Sequence, residues 1–267
     1  MRGIILAAGK GSRLNGSAGD KPKCLVEAGG ITLLERQITA LEHAGIDEIT
    51  VVVGCQAERV RARCGSRVTY VENSRFGETN SLYSLWTARA LLYQGFVVLN
   101  CDVLFHPALL DDLLVTHHDA ALLIAYREPG QQYGDEEMKI KVRDGLVVDM
   151  SKTMDPAEAD GENLGIVKFG PASAPHLVGI LDRIVAAGGL KDWAPKAFRE
   201  FAQERPLNAL GTRGYPWIEI DFPEDYQRAV REVLPQIEGR DDADVDVPLL
   251  PVVRRASHPA RPMAELR

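Results

Sequence analysis

Arg2-Gly3-Ile4-Ile5-Leu6-Ala7-Ala8-Gly9-Lys10-Gly11-Ser12-Arg13-Leu14, followed shortly by Lys21-Pro22-Lys23, is the stretch that decides the fold. Residues 2–6 are a short apolar run that reads as a buried strand, and it empties into a loop of glycines and cations. Glycines let backbone N–H groups approach an anion closely, and fixed cations neutralise it, so the loop suits phosphate. Leu14 stands where a G-x-G-x-x-G dinucleotide fingerprint needs glycine, and Gly11 follows Lys10 where a P-loop needs Ser or Thr. Arg13 and Lys23 add charge at the carboxyl end of the first strand, the edge at which open α/β sheets hold ligands. A nucleotide site is therefore favoured over a bland turn.

Working outward, apolar runs and helical periods alternate. Thr32-Leu33-Leu34-Glu35 is a capping-box pattern, with Leu34, Ile38 and Leu41 on one helical face and Gly45 as the stop. Residues 49–53, 68–71 and 96–100 read as strands, and Leu82, Leu85 and Trp86 repeat at helical spacing after Thr79-Asn80-Ser81. Strands separated by helices imply parallel crossovers and an α/β fold with a doubly wound, mostly parallel central sheet. Asp144-Gly145 between the runs 138–142 and 146–150 marks a hairpin. With a strand over 164–169, it predicts a small, partly antiparallel region. Helices are expected over 175–187 and 193–202, then a strand over 217–220 and a helix over 223–234. After Pro235 periodicity stops, so residues 1–235 read as one domain and 236–267 as a disordered tail.

Of 267 residues, 45% are apolar and 26% charged, enough for a substantial core. The balance of 31 Lys+Arg against 38 Asp+Glu argues against a general nucleic-acid or anionic-membrane surface. Cys24, Cys55, Cys64 and Cys101 form no C-x-x-C pair, which disfavours structural zinc. No run nears the length of a membrane span and no signal peptide opens the chain, so a cytoplasmic protein with reduced thiols is expected. A homodimer is left open.

The block Leu6-Ala7-Ala8-Gly9-x-Gly11-x-Arg13-Leu14 with Pro22-Lys23 resembles the signature of the nucleoside-triphosphate transferases. Further blocks match in order over residues 1–234: Asn73 with Thr79-Asn80-Ser81-Leu82, Asn100-Cys101-Asp102-Val103, Ser151-Lys152, Glu162-x-x-Gly165-Ile166, and Trp217-x-Glu219-Ile220-Asp221. The Thr79-Asn80-Ser81 block and the Trp-x-Glu-Ile-Asp ending most resemble the cytidylyltransferases of phosphocholine and phosphonates. The resemblance implies CTP as nucleotide, held by Leu6, Ala7, Ala8, Gly9, Gly11, Ser12, Arg13, Lys23, Thr79, Asn80 and Ser81. It implies transfer of CMP to a small phosphonate or phosphorylated alcohol, with release of pyrophosphate.

Asp102 directly follows the strand 96–100 and Asp221 follows 217–220, so both carboxylates emerge at strand ends where they can converge on one hard cation. Capping of the next helix is the structural alternative for each. The resemblance assigns both to Mg²⁺. Attack by an already anionic acceptor oxygen on the α-phosphorus requires no protein nucleophile. The site must supply in-line positioning and charge neutralisation, with Lys23 on the α-phosphate and Arg13 on the departing phosphates as the catalytic cations. For the acceptor, the resemblance implies Lys152, Glu162, Trp217 and Glu219. Trp193, Tyr133 and Tyr83 are candidate additional walls, and Lys139 reads either as a second cation or as a solvated strand face. Arg75 departs from the phosphocholine pattern and suits an acceptor with a second anionic group, or a solvated loop; phosphonate is preferred over phosphocholine on that ground. A sugar-1-phosphate uridylyl- or guanylyltransferase shares the chemistry, and a nucleotide-binding regulatory subunit is disfavoured because Arg13, Lys23, Asp102 and Asp221 are all present.

Overall fold

The first apolar run becomes the central strand. In a computed structural model, which describes residues 1–11 and 21–239, β1 (Arg2–Ala7) carries Ile4 and Ile5 fully buried on opposite faces. A two-residue ribbon, β2 (Glu27–Ala28) and β3 (Ile31–Thr32), leads into α1 (Leu33–His43). Its N-terminus is the expected capping box: Glu35 N donates to Thr32 Oγ1, and Thr32 N to Glu35 Oε2, both at 3.1 Å. Then come β4 (Ile49–Val53), α2 (Ala57–Cys64), β5 (Thr69–Glu72), α3 (Ser81–Thr87), β6 (Phe96–Asn100), β7 (Val103–Phe105) and α4 (Ala108–Val115). The second half contains β8 (Ala120–Tyr126), β9 (Lys139–Arg143), β10 (Leu146–Ser151), β11 (Gly161–Phe169), α5 (Ala174–Ala186) and α6 (Ala194–Glu204). β12 (Asn208–Gly211), β13 (Trp217–Glu219), α7 (Pro223–Arg228) and α8 (Leu234–Glu238) complete it.

The main sheet has the order β5-β4-β1-β6-β11-β8-β12-β10-β9. The first four strands are mutually parallel, as the crossovers predict, and β11 enters antiparallel to both β6 and β8. β9 also pairs with β11 at Lys139 and Ile140, so the last five strands turn back on themselves. Alternation along β1 sends Ile4 and Leu6 into a core shared with α3, α5 and α6. Ile5 and Ala7 enter a second core beneath α1, α2 and α4. Each fully buried Ile or Leu contributes about 1.5–3 kcal/mol relative to exposure.

Two elements depart from expectation. β8 is an unbroken apolar run rich in alanine, in which periodicity cannot separate strand from helix. At the other end, the final helix does not stop at Pro235: a π-helical turn, Ala229–Val233, runs straight into α8, which carries Pro235 and extends to Glu238. The start of the expected tail at 236 is therefore helical, and its remainder from residue 240 lies outside the described residues. Among the described residues no helix is long and apolar enough to cross a membrane.

Candidate active site

Asp102 and Asp221 are brought together by a short ribbon. β7 pairs antiparallel with β13, Glu219 stands opposite Val103, and Ile220 N donates to Asp102 O at 3.0 Å. The turn that presents Asp102 is braced from below. Buried Gln37 of α1 donates Nε2 to Asn100 O at 2.8 Å and to Val103 O at 2.9 Å. Asp225 accepts from Asp221 N at 3.1 Å and Phe222 N at 2.8 Å, so Asp225 rather than Asp221 satisfies the start of α7. Period-two alternation along residues 217–221 puts Glu219 beside Asp221. One carboxylate oxygen from each of Asp102, Glu219 and Asp221 lies within 4.8 Å of the other two.

Lys23 reaches into this trio. Its Nζ donates to Asp102 Oδ2 at 2.7 Å and to Asp221 Oδ1. The glycine loop lies directly against it: Gly11 has φ +61°, and a Cβ there would come within 2.7 Å of Lys23 Cβ. Burial alone would lower the pKa of the Lys23 ammonium, but the carboxylates of Asp102 and Asp221 outweigh it and hold it raised. Burial, then the charges of Asp102 and Asp221, push Glu219 up to about 8.

These groups line a cavity of about 240 Å³ over the carboxyl ends of the parallel strands. Leu6, Ala8, Gly9 and Gly11 line it, as do Thr79, Asn80, Ser81, Lys152 and Glu219. The side chains of the 79–81 block are themselves engaged. Thr79 Oγ1 accepts from Asn73 Nδ2 at 3.0 Å, Asn80 Oδ1 from Ser81 N at 2.8 Å, and Ser81 Oγ from Ala194 N at 2.9 Å. In the same wall Lys152 Nζ lies 3.3 Å from Glu136 Oε2 and 4.8 Å from the centroid of the Trp193 ring.

Several expected site residues stand elsewhere. Ala7 points to the opposite face of β1, into the core with Ile5. Trp217 sits opposite Phe105 and packs on that same core, two residues too early on β13 to share the position of Glu219. Glu219 joins the acidic trio and is also close enough to Lys152 in the same cavity wall to feel its charge. Glu162 is absent from the cavity wall; burial, then the Glu137 carboxylate, push it up to about 7. Arg75 pairs with Glu78 at 3.3 Å and covers the Tyr83 ring, outside the cavity, which removes the ground for a doubly anionic acceptor. Tyr133 is buried with Met154 and Ala159 in a satellite cluster. Ser12 and Arg13 lie outside the described residues.

The wall also holds residues that pattern reading missed, notably Asn163, Glu136 and Pro195. Asn163 follows Glu162 on a strand, and side-chain alternation was the available signal. Glu136 lies in an aperiodic acidic loop and gave none.

A glycine loop on a parallel strand, meeting a lysine and remote acids at the sheet's carboxyl edge, defines a nucleotidyltransferase. Residues 3–135 match the model of the MobA-like NTP transferase domain. The choline-phosphate cytidylyltransferase of Streptococcus pneumoniae (strain ATCC BAA-255 / R6) is 30% identical over 244 residues, 88% of this chain and 98% of that protein. The chain belongs to this family of NTP transferases, among its cytidylyltransferases. CMP-5'-(3-aminopropyl)phosphonate synthase of Streptomyces rubellomurinus (strain ATCC 31215) is 35% identical over 127 residues, 46% of this chain and 20% of that protein. Another curated relative is also longer, and this chain spans 51% of it. The solved inositol-1-phosphate CTP transferase from T. maritima shares the fold, with a TM-score of 0.73 at 20% identity over 90% of this chain and 97% of that one.

Proposed function

We propose that this enzyme transfers CMP from CTP to a small phosphorylated alcohol or phosphonate bearing a cationic head group, with release of pyrophosphate. The observation that carries the reading is one cavity whose wall holds both the Lys23–Asp102–Asp221 constellation and Lys152 with Trp193 and Glu136. The triphosphate belongs beside the first group, where Leu6, Ala8, Gly9 and Gly11 offer backbone beside a cation. The acceptor belongs beside the second.

The acidic trio fits a divalent cation. Its three oxygens are close enough to share an ion, all are of the hard type that Mg²⁺ selects, and Asp102 Oδ1 is buried without a hydrogen-bond partner. Mg²⁺, when bound, supplies neutralising charge for the phosphates. The chain's own residues do the rest. Lys23 turns from the carboxylates to the α-phosphate as negative charge grows there, and Lys152 holds the acceptor's phosphoryl oxygen in line. That oxygen is anionic at neutral pH, so no residue is needed to remove a proton.

The head group is read from Lys152. Its ammonium already lies over the Trp193 ring and beside Glu136, which marks this corner as suited to a cation. When Lys152 swings to the phosphoryl group, the face of the Trp193 ring is offered to an amine or quaternary ammonium. The phosphocholine and aminopropylphosphonate relatives support this class by the names they carry. CTP as donor also suits a cytoplasmic enzyme.

The test is pyrophosphate release with CTP, UTP, ATP and GTP crossed against phosphocholine, 3-aminopropylphosphonate, inositol 1-phosphate and glucose 1-phosphate, with and without Mg²⁺. Highest turnover with CTP and the first two acceptors is expected. Activity restricted to UTP and a hexose phosphate would overturn the reading.

A further inference from the structure

Lys139 is neither a second cation in the cavity nor a solvated side chain. It is 1% exposed, and its Nζ donates to three main-chain carbonyls: Gly134 at 2.6 Å, Lys152 at 2.7 Å and Glu137 at 3.4 Å. Each ammonium proton is spent on backbone oxygen. A buried ammonium is costly unless fully hydrogen-bonded, so this arrangement is a built feature of the site and not a chance contact.

The carbonyls it gathers have a shared consequence. Gly134 and Glu137 bracket Glu136 in the loop ahead of β9, and Lys152 directly follows β10. Lys139 opens β9 where that strand is clasped on both sides, opposite Ser151 of β10 and Glu162 of β11. One ammonium therefore fastens together the backbone segments that carry Lys152 and Glu136, the pair 3.3 Å apart at the proposed acceptor site. An apolar residue would fill the same space, as Ile140 does next to it, but would leave those carbonyls without a donor.

We propose that Lys139 is a positioning residue for the acceptor: it fixes the spacing of Lys152 and Glu136, so that the phosphoryl group and the cationic head are held at once. The inference rests on that proposed acceptor site. It adds a residue that touches no substrate and acts only through the backbone of its neighbours.

The test uses the full-length enzyme with CTP and either phosphocholine or 3-aminopropylphosphonate. Lys139→Met should raise the KM for the acceptor by about tenfold or more, with the KM for CTP within about twofold and kcat at saturating acceptor largely kept. Lys139→Gln, which retains two N–H donors, should fall between Met and wild type. Acceptor and CTP constants that move together, or follow a fall in melting temperature, would show a purely structural lysine and overturn the proposal. Unchanged acceptor KM in Lys139→Met does the same. Wild-type inactivity on both acceptors overturns instead the functional reading, and this role with it. Should neither variant fold, hydrogen exchange on the wild type decides: amides of residues 134–138 and 152–154 should be slowed by acceptor, and no change there refutes the proposal.

Discussion

Lys23 Nζ lies 2.7 Å from Asp102 Oδ2 and also donates to Asp221, so a single ammonium holds two carboxylates drawn from opposite ends of the chain. With side-chain exposures of 12%, 19% and 24% for Lys23, Asp102 and Asp221, screening is partial and the charges interact strongly. Lys23 offsets the repulsion between the Asp102 and Asp221 carboxylates. On the proposed function, Mg²⁺ would be held by those carboxylates and Lys23 would turn to the triphosphate.

Lys23→Ala should accordingly separate chemistry from binding. Turnover should drop by about 10²–10³, the range for loss of a preorganised electrostatic contact, while CTP affinity measured by calorimetry changes only a few-fold. Manganese titrated into the nucleotide-free variant should bind about tenfold more tightly than to wild type, because a competing cation has gone. Wild-type turnover, or unaltered manganese affinity, would remove Lys23 from this role.

Much of this site was legible in the sequence because strand ends are legible. The run that becomes β6 announces that Asp102 stands at a sheet edge, and the Thr32–Glu35 capping box fixes where α1 begins. What pattern could not supply was the face of short strands. Glu162 and Ala7 each lie one side-chain alternation away from residues of the cavity wall, and a one-residue shift on a strand exchanges wall for core, whereas Trp217 lies two residues before Glu219 on β13 and packs on the core. Glu136 and Lys139 needed tertiary structure: a loop of acids carries no period, and a lysine at strand spacing looks solvated until its carbonyl partners are known.

Gly165 is a second position where conformation and site are tied. It has φ +77° at the irregularity of β11, and a Cβ there would meet Asn100 Nδ2 at 2.6 Å. Asn163 Oδ1 accepts from Gly165 N at 3.1 Å, so displacement of one moves the other. Gly165→Ala should cost about 1–3 kcal/mol of stability and raise the KM of both substrates, since Asn100 and Asn163 both line the cavity. Thermal melting and initial-rate kinetics check this. A variant as stable and active as wild type would mean the strand absorbs the methyl group without shifting either asparagine.

Glu162, outside the cavity wall, links the stability of the fold to pH. Its carboxyl is raised from 4.5 to about 7, first by burial and then by Glu137. The sign follows from linkage. Below about pH 4.5 the group is protonated folded or unfolded and costs nothing, whereas between 4.5 and 7 only the folded protein keeps its proton, so the stability present at low pH is lost as pH rises through 7. Glu162→Gln should thus match wild type near pH 4.5 and be more stable at pH 8, by up to about 3 kcal/mol from the size of the shift. Equal melting temperatures at pH 8 would show that Glu162 is ionised in the fold without penalty.

The acceptor's two halves should respond to different residues. Lys152 is proposed to meet the phosphoryl oxygen common to every acceptor, so Lys152→Met should raise KM for phosphocholine and for glycerol phosphate alike. Trp193 offers a ring face whose attraction for a cation is about 0.5–2 kcal/mol, hence a KM change of about two- to thirtyfold, felt by phosphocholine and not by glycerol phosphate. Trp193→Phe should recover part of that loss and Trp193→Ala none, while CTP constants stay fixed in every variant. The decisive quantity is the ratio of the two acceptors' kcat/KM. If Trp193→Ala leaves that ratio where it was, the ring now under the Lys152 ammonium is a support for the lysine and not a reader of the head group.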